Sequence, residues 1–333
     1  MRAIIVDAYG PIENLRLGTM PDPVPVRDEV LVRTHATTVN YVDQLVITGK
    51  YQFLPKPPFV PGKGPAGIVI GLGPDAKRIK VGDRVLAMAE IGGYAELATV
   101  SESQCYVLPP KMSFPEASSM AVASDTAWFA LNDRARYKVG DTVLVLGASG
   151  AVGIAAIQIA KAMGAFVMAG ISNPDKIPLA KLAGADAIVD LARPDLRDGL
   201  RAQVHALTDG RGADIILDPL GGDVFDAAIR ALAWCGRLVV IGFAAGRIPT
   251  LKVNYVLLKN IEVTGLQVSD YRKKRPEQVE TCYRQLFDWF QAGKISPLPM
   301  TAYTFENFHE ALAAIRDRTA RGRVVLTHRT DTL

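Results

Sequence analysis

The sequence predicts an α/β protein with a doubly wound parallel sheet in its middle and a β-rich region at its start. Three observations predict this. From Asp141 onward, all-apolar runs of strand length alternate with amphipathic helical runs, the pattern of a sheet covered by helices on both faces. The first 120 or so residues instead show short β-type runs separated by Gly and Pro, as in a small antiparallel barrel or sandwich. A chain of 333 residues also has the length of two domains of roughly 100 to 200 residues, each with its own core.

In order, the early strand runs are "AIIVDAY", "EVLVRTHATTVN", "AGIVIGLG", "DRVLAMA" and "YAELATV". The alternating region begins with strand "DTVLVLG" and helix "AVGIAAIQIAKAMG", followed by strand "AFVMAG" and helix "PDKIPLAKLAG". Strand "ADAIVDL", helix "LRDGLRAQVHALT", strand "ADIILD", helix "GDVFDAAIRALAWCG" and strand "RLVVIG" complete it. "NIEVTGLQV" reads as a last strand, "PEQVETCYRQLFDWFQAGKI" and "FENFHEALAAIRDR" as amphipathic helices, and "RGRVVLTH" as a closing strand. There is no internal repeat.

Composition excludes several classes of function. The net charge is only +4, and no run of like charges is long enough for a nucleic-acid stripe, so no nucleic-acid partner is expected. The densest basic cluster, "RKKRPE" from Arg272, reads as the solvated start of a helix. No apolar run approaches the roughly 20 residues of a membrane helix, and the first ten residues lack the pattern of a secretory signal. Cys105, Cys235 and Cys282 form no Cys-x-x-Cys pair, which argues against a disulfide or zinc framework and for a reducing, cytoplasmic location. His35, His205, His309 and His328 are scattered and read as surface or satisfied core groups. Trp128, Trp234, Phe287, Trp289 and Phe290 lie on helical patterns and read as core.

The strongest motif is "GASGAVG", Gly147 to Gly153, between an apolar strand and a helix. The backbone amides of Ser149, Gly150, Ala151, Val152 and Gly153 at such a turn, with the positive end of the helix, suit a pyrophosphate if the side chains are small. A dinucleotide selective for NAD calls for an acid about 20 positions on, yet "MAGISNPDK" has no carboxylate until Asp175. Ser172 and Lys176 suit a 2′-phosphate instead, with Arg193 a further candidate cation, so the expected cofactor is NADPH.

With these motifs in order, the sequence resembles the zinc-independent quinone oxidoreductase (zeta-crystallin-like) branch of the medium-chain dehydrogenase/reductase superfamily. The resemblance runs nearly end to end. It is carried by "VNYVD", "VPGKGPAG", "VGDRV", "GGYAE", "DTAW", "VLGASGAVG", "DPLGGDVF", "IGFAAGRIP" and "RGRVVL" in that order. It implies a GroES-like β-barrel catalytic domain over 1–123, a Rossmann domain over 124–268, and a return to the catalytic domain over 269–333, with NADPH in the cleft. It also implies a homodimer paired through the Rossmann edge strand.

The zinc-dependent relatives carry a Cys-His pair where this chain has Asn40 and Tyr41, and a Gly-His-Glu loop where it has Gly62, Lys63 and Gly64. Their third ligand position falls at Val122. An ammonium cannot replace a soft N/S zinc ligand, so no metal is expected. Without one, hydride delivery needs an acceptor that is already electrophilic: a quinone, or a C=C bond conjugated to a carbonyl.

The resemblance assigns Asn40, Asp43 and Tyr51 to the catalytic, nicotinamide end, with Thr126 also near the nicotinamide. It puts Gly221, Gly242 and Phe243 on cofactor loops, and Arg323 near the diphosphate. Two readings of Tyr51 stand: a phenol that donates a proton to an enolate, or a ring that only packs. Lys63 is open between a solvent-facing turn residue and a charge at the substrate mouth. Asp125 is open between altering acceptor choice and capping the helix that follows. Leu191 stands where similar sequences often carry a tyrosine near the 2′-phosphate.

Overall fold

The computed structural model describes residues 1–297 and 299–328. The chain opens with strands β1 (Arg2–Ile5) and β2 (Arg16–Thr19), which pair antiparallel as a separate ribbon. Strand β3 (Glu29–Val39) leads into helix α1 (Tyr41–Ile47). Strands β4 (Pro65–Leu72), β5 (Arg84–Ala87), β6 (Leu97–Ser101) and β7 (Cys105–Val107) precede helix α2 (Phe114–Met120). The start of α2 is specified locally. Ser113 and Glu116 form a capping box, and Pro115 sits in the first turn, where its missing N–H costs nothing.

The alternating region follows: α3 (Ala123–Phe129), β8 (Thr142–Val145), α4 (Ala151–Ala162), β9 (Phe166–Ile171), α5 (Ile177–Leu182), β10 (Ala187–Asp190) and α6 (Leu196–Leu207). It continues with β11 (Ala213–Asp218), α7 (Gly222–Ala228), β12 (Leu232–Val240), α8 (Asn254–Lys259) and β13 (Glu262–Gly265). The described chain closes with α9 (Val268–Lys274), α10 (Pro276–Gln291), β14 (Met300–Thr304), α11 (Phe308–Arg316) and β15 (Arg323–Thr327).

The chain divides into two compact units. The first is Met1–Val122 with Arg272–Tyr283 and Pro297–Leu333, and the second is Ala123–Tyr271 with Arg284–Ser296. The first unit has a largely antiparallel sheet of order β14-β15-β3-β4-β5-β7, with β6 also on β3. Both chain ends build its core: Ile4, Ile5, Val39 and Tyr94 pack in one cluster with Phe305, Leu312 and Leu326. The long strand β3 makes this possible, since it pairs with β4, β6 and the late strand β15.

The second unit has six parallel strands in the order β10-β9-β8-β11-β12-β13. This is the Rossmann order, whose topological switch lies between the neighbours β8 and β11. Every residue of β8 is buried, as expected of a strand with helices on both faces. Among the described residues, no helix is long and apolar enough to cross a membrane.

Two expectations are corrected here. The helix read through Cys235 ends at Ala228, and a strand begins at Leu232, because Leu232 pairs with Ala213 ahead of a register shift. Cys235 takes φ 60° at this irregularity, and Trp234, read as core, is 73% exposed. Residues 284–296, expected with the catalytic domain, group with the second unit, where Trp128 Nε1 donates to Gln285.

Candidate active site

In the second unit, the turn 146–150 carries the chain from β8 into α4. Gly150 holds the cap position, so no side chain satisfies the first-turn amides of this twelve-residue helix. Ala148 is pinned by its N–H to Gly170 O, 3.1 Å away. Gly153 is required by close approach: a Cβ there would lie 2.4 Å from Gly147 O and 2.7 Å from Ala148 Cα. The result is a small-residue cradle over open amides at a positive helix end, and a dinucleotide's diphosphate fits it.

The loop after β11 adjoins this turn, since a side chain on Gly147 would meet Leu220. Buried Asp218 organises the loop by accepting from the amides of Leu220 and Gly221, each at 2.9 Å. Burial pushes its pKa up, and these two amides oppose that. A Cβ on Gly221, at φ 67°, would lie 2.9 Å from the Phe243 ring, and Gly242 N–H donates to Asp218 O. Gly221, Gly242 and Phe243 are thus brought together at the C-terminal ends of β11 and β12.

Ser172 is exposed directly after β9, and Lys176 follows in the turn before α5. Leu191 is a core side chain against Gly170. Arg193, the further candidate cation, is exposed and pairs with Asp195, two residues on, through bonds of 2.9 and 3.1 Å. Thr126 is buried on α3. Asp125 lies within the first turn of that helix, with Oδ1 accepting the Thr126 amide at 2.8 Å.

In the first unit, the expected catalytic residues separate into two clusters. One is an internal network. Asp43 Oδ2 accepts from the Asn40 N–H and from the Tyr94 hydroxyl, both at 2.8 Å. Arg323 donates to Asn40 Oδ1 at 3.0 Å, Thr38 Oγ1 at 2.7 Å and Ser119 O at 2.9 Å. Burial raises the Asp43 pKa, against the charge of Lys63 and these hydrogen bonds. Burial also lowers Arg323 to about 10, with Asp43 and Tyr94 pulling the other way.

Two of the expected site residues thus have internal partners. Arg323, expected near the diphosphate, is 7% exposed and bonded within this unit. Asp43, expected to line the nicotinamide end, is 1% exposed and caps the start of α1. Asn40, 6% exposed, joins them in the same network. Tyr94 was missed, although "GGYAE" marked its position. Its ring fills the space beside Gly62, where a Cβ would lie 2.3 Å from it.

The other cluster surrounds Lys63, which is neither solvent-facing nor loose. It is 5% exposed, and Nζ donates to Glu90 O at 2.8 Å and to Glu90 Oε2 at 2.6 Å. Arg272 Nη1 reaches Glu90 Oε1 at 2.7 Å, and at 2% exposure it is not the solvated residue that "RKKRPE" suggested. Partial burial works to raise the Glu90 pKa, but the charges of Arg272 and Lys63 outweigh it and hold the carboxyl down at about 2. The half-buried Tyr51 ring lies 5.9 Å from Lys63 Nζ, near the outer limit of a cation–π contact. Phe53 meets Tyr51 edge-on. Among the described residues, no group of three or more His, Cys, Asp or Glu side chains is placed to hold a metal ion.

The family model described as alcohol dehydrogenase GroES-like domain matches residues 26–110, and that described as zinc-binding dehydrogenase matches 151–289. Quinone oxidoreductase-like protein 2 homolog of Nematostella vectensis is 33% identical over 90% of this chain and 81% of its own length. Quinone oxidoreductase of Homo sapiens is 31% identical over 98% of this chain and 97% of its own. The structure of mycobacterial Rv1454c complexed with NADPH is 30% identical, covering 98% of this chain and all of that one at a TM-score of 0.91. The chain belongs to the zinc-independent quinone oxidoreductase branch of the medium-chain dehydrogenase/reductase superfamily and is an oxidoreductase.

Proposed function

We propose that this oxidoreductase is an NADPH-dependent reductase of quinones that works without zinc. The observation that carries the reading is the Lys63–Glu90 pair. The side chain at the position of the metal-binding histidine is an ammonium bonded to a carboxylate, which offers no lone pair to a metal, so the acceptor has to be electrophilic without one. The amides of Ser149 to Gly153 hold the diphosphate, Ser172 and Lys176 the 2′-phosphate, and Gly221, Gly242 and Phe243 border the dinucleotide. Thr126 stands at its nicotinamide end. The bound cofactor supplies a hydride. A relative solved with NADPH supports this choice of dinucleotide.

The neighbouring phenol and ammonium favour a second reading, reduction of a C=C bond conjugated to a carbonyl, with Tyr51 placing the proton that completes the reaction. Dimerisation through β13, an edge strand preceded by α8 with exposed Leu257 and Leu258, completes the proposal, together with a cytoplasmic location. Steady-state NADPH oxidation with 1,4-benzoquinone and with an α,β-unsaturated ketone separates the readings. Turnover with the quinone is expected. Turnover with the ketone alone would transfer the function to the second reading, and turnover with neither would end both.

A further inference from the structure

A buried lysine carries a charge that has to be answered on all sides, because taking an ammonium out of water is costly unless its hydrogens find acceptors. Lys63 meets this condition on two sides only. Glu90 takes two of its three hydrogens, one through its backbone oxygen and one through its carboxylate. Among the described residues, Nζ makes no third hydrogen bond, and the Tyr51 ring centroid lies 5.9 Å from it. Glu90 is itself fixed by Arg272, so the ammonium is held in place from behind. Its field is felt beyond this contact, because it opposes the burial-driven rise of the Asp43 pKa.

We propose that Lys63 is an oxyanion-binding residue, whose third N–H donates to an oxygen of the hydride acceptor beside Tyr51. The proposal rests on the reductase reading and deepens it by naming the acceptor class: compounds in which hydride addition leaves negative charge on a carbonyl-derived oxygen. As the hydride adds to the conjugated carbon, the π pair moves onto that oxygen, and the reduced nicotinamide is oxidised in the same step. A proton from Tyr51 or water then completes the reduction. A donor fixed before the reaction stabilises that developing charge without reorganising, which makes such groups large contributors to rate. An ammonium adds a full charge in a setting from which water is largely excluded. Glu90 acts here as a positioning residue through Lys63.

p-Nitrophenol is a suitable probe, because its ionised form resembles the charged product oxygen and absorbs at a different wavelength from the neutral phenol. Titrated into the cofactor-free protein, the wild type should bind the phenolate and lower the probe's apparent pKa. Lys63→Met should bind the phenolate roughly tenfold or more weakly, and Lys63→Arg should restore part of that affinity. A wild-type protein that binds the neutral phenol, or neither form, overturns the proposal without reference to any variant. So does a folded Lys63→Met protein that keeps phenolate affinity. Wild-type NADPH oxidation, measured alongside with the quinone and the ketone, separates this outcome from failure of the reductase reading itself.

Discussion

The glycine turn of the second unit and the Lys63 cluster of the first are built from opposite materials. The turn is made of backbone: open amides, a helix end, and a glycine whose missing Cβ lets the turn close on itself. The Lys63 cluster, like the Arg323 network, is made of charged and polar side chains from distant parts of the chain. Arg272 and Glu90 are 182 positions apart, and Arg323 and Asn40 are 283 apart. A backbone site tolerates little change of shape but is indifferent to most chemistry. A side-chain site depends on each partner, because removing one leaves another buried and unmatched.

That contrast predicts where substitutions act. The largest effect belongs to Arg323→Ala, which strips Asn40, Thr38 and the Ser119 carbonyl of a shared donor and removes one of the positive charges near buried Asp43. Denaturant unfolding should show a loss of about 3 to 5 kcal/mol. NADPH affinity of the folded fraction should stay unchanged, whereas an arginine that bound diphosphate would show the reverse.

His328 should make the first unit sensitive to acid. Burial lowers its pKa to about 4 from an ordinary 6.5, among Glu96, Arg2, His35 and Glu306, with its ring tilted against Phe305. The neutral imidazole is favoured in the folded state, so the stability it contributes is complete above pH 6.5. It falls as the unfolded chain takes up the proton, and is lost by about pH 4. The expected loss is up to about 3 kcal/mol, read as a falling Tm over that window. His328→Phe should flatten the fall, and an unchanged slope in that variant would rule the histidine out.

Gly153→Val tests the backbone site. Its side chain cannot fit within 2.4 Å of Gly147 O, so the turn must open. A loss of roughly a hundredfold in NADPH affinity, or about 2.7 kcal/mol, is expected by fluorescence titration. Tyr51→Phe should have the smallest effect. Reduction of an unsaturated ketone should slow roughly tenfold at unchanged NADPH affinity, while quinone reduction is little affected. Equal rates for the ketone would leave Tyr51 with packing alone.

The same contrast explains what could be read from the sequence. The doubly wound sheet and the glycine turn were legible because both depend on local pattern: hydrophobic periodicity, and small residues at fixed spacing after a strand. The β-rich unit was legible as a class, since its strands are short and bounded by turn residues. What failed depended on long-range partners. Nothing near Arg272 shows that Glu90 buries it, and nothing near Arg323 shows that Asn40 and Thr38 receive it. The position of Trp234 on an exposed irregularity is set by how β12 registers on β11, which an apolar helical pattern at "AIRALAWCG" does not reveal.

The central claim is reduction of an intrinsically electrophilic acceptor without a metal. Its most direct test is the rate of NADPH oxidation with 1,4-benzoquinone, measured after exhaustive dialysis against a chelator and again after zinc is restored. Equal rates in the two preparations are predicted. A rate that appears only when zinc is added back would contradict the account.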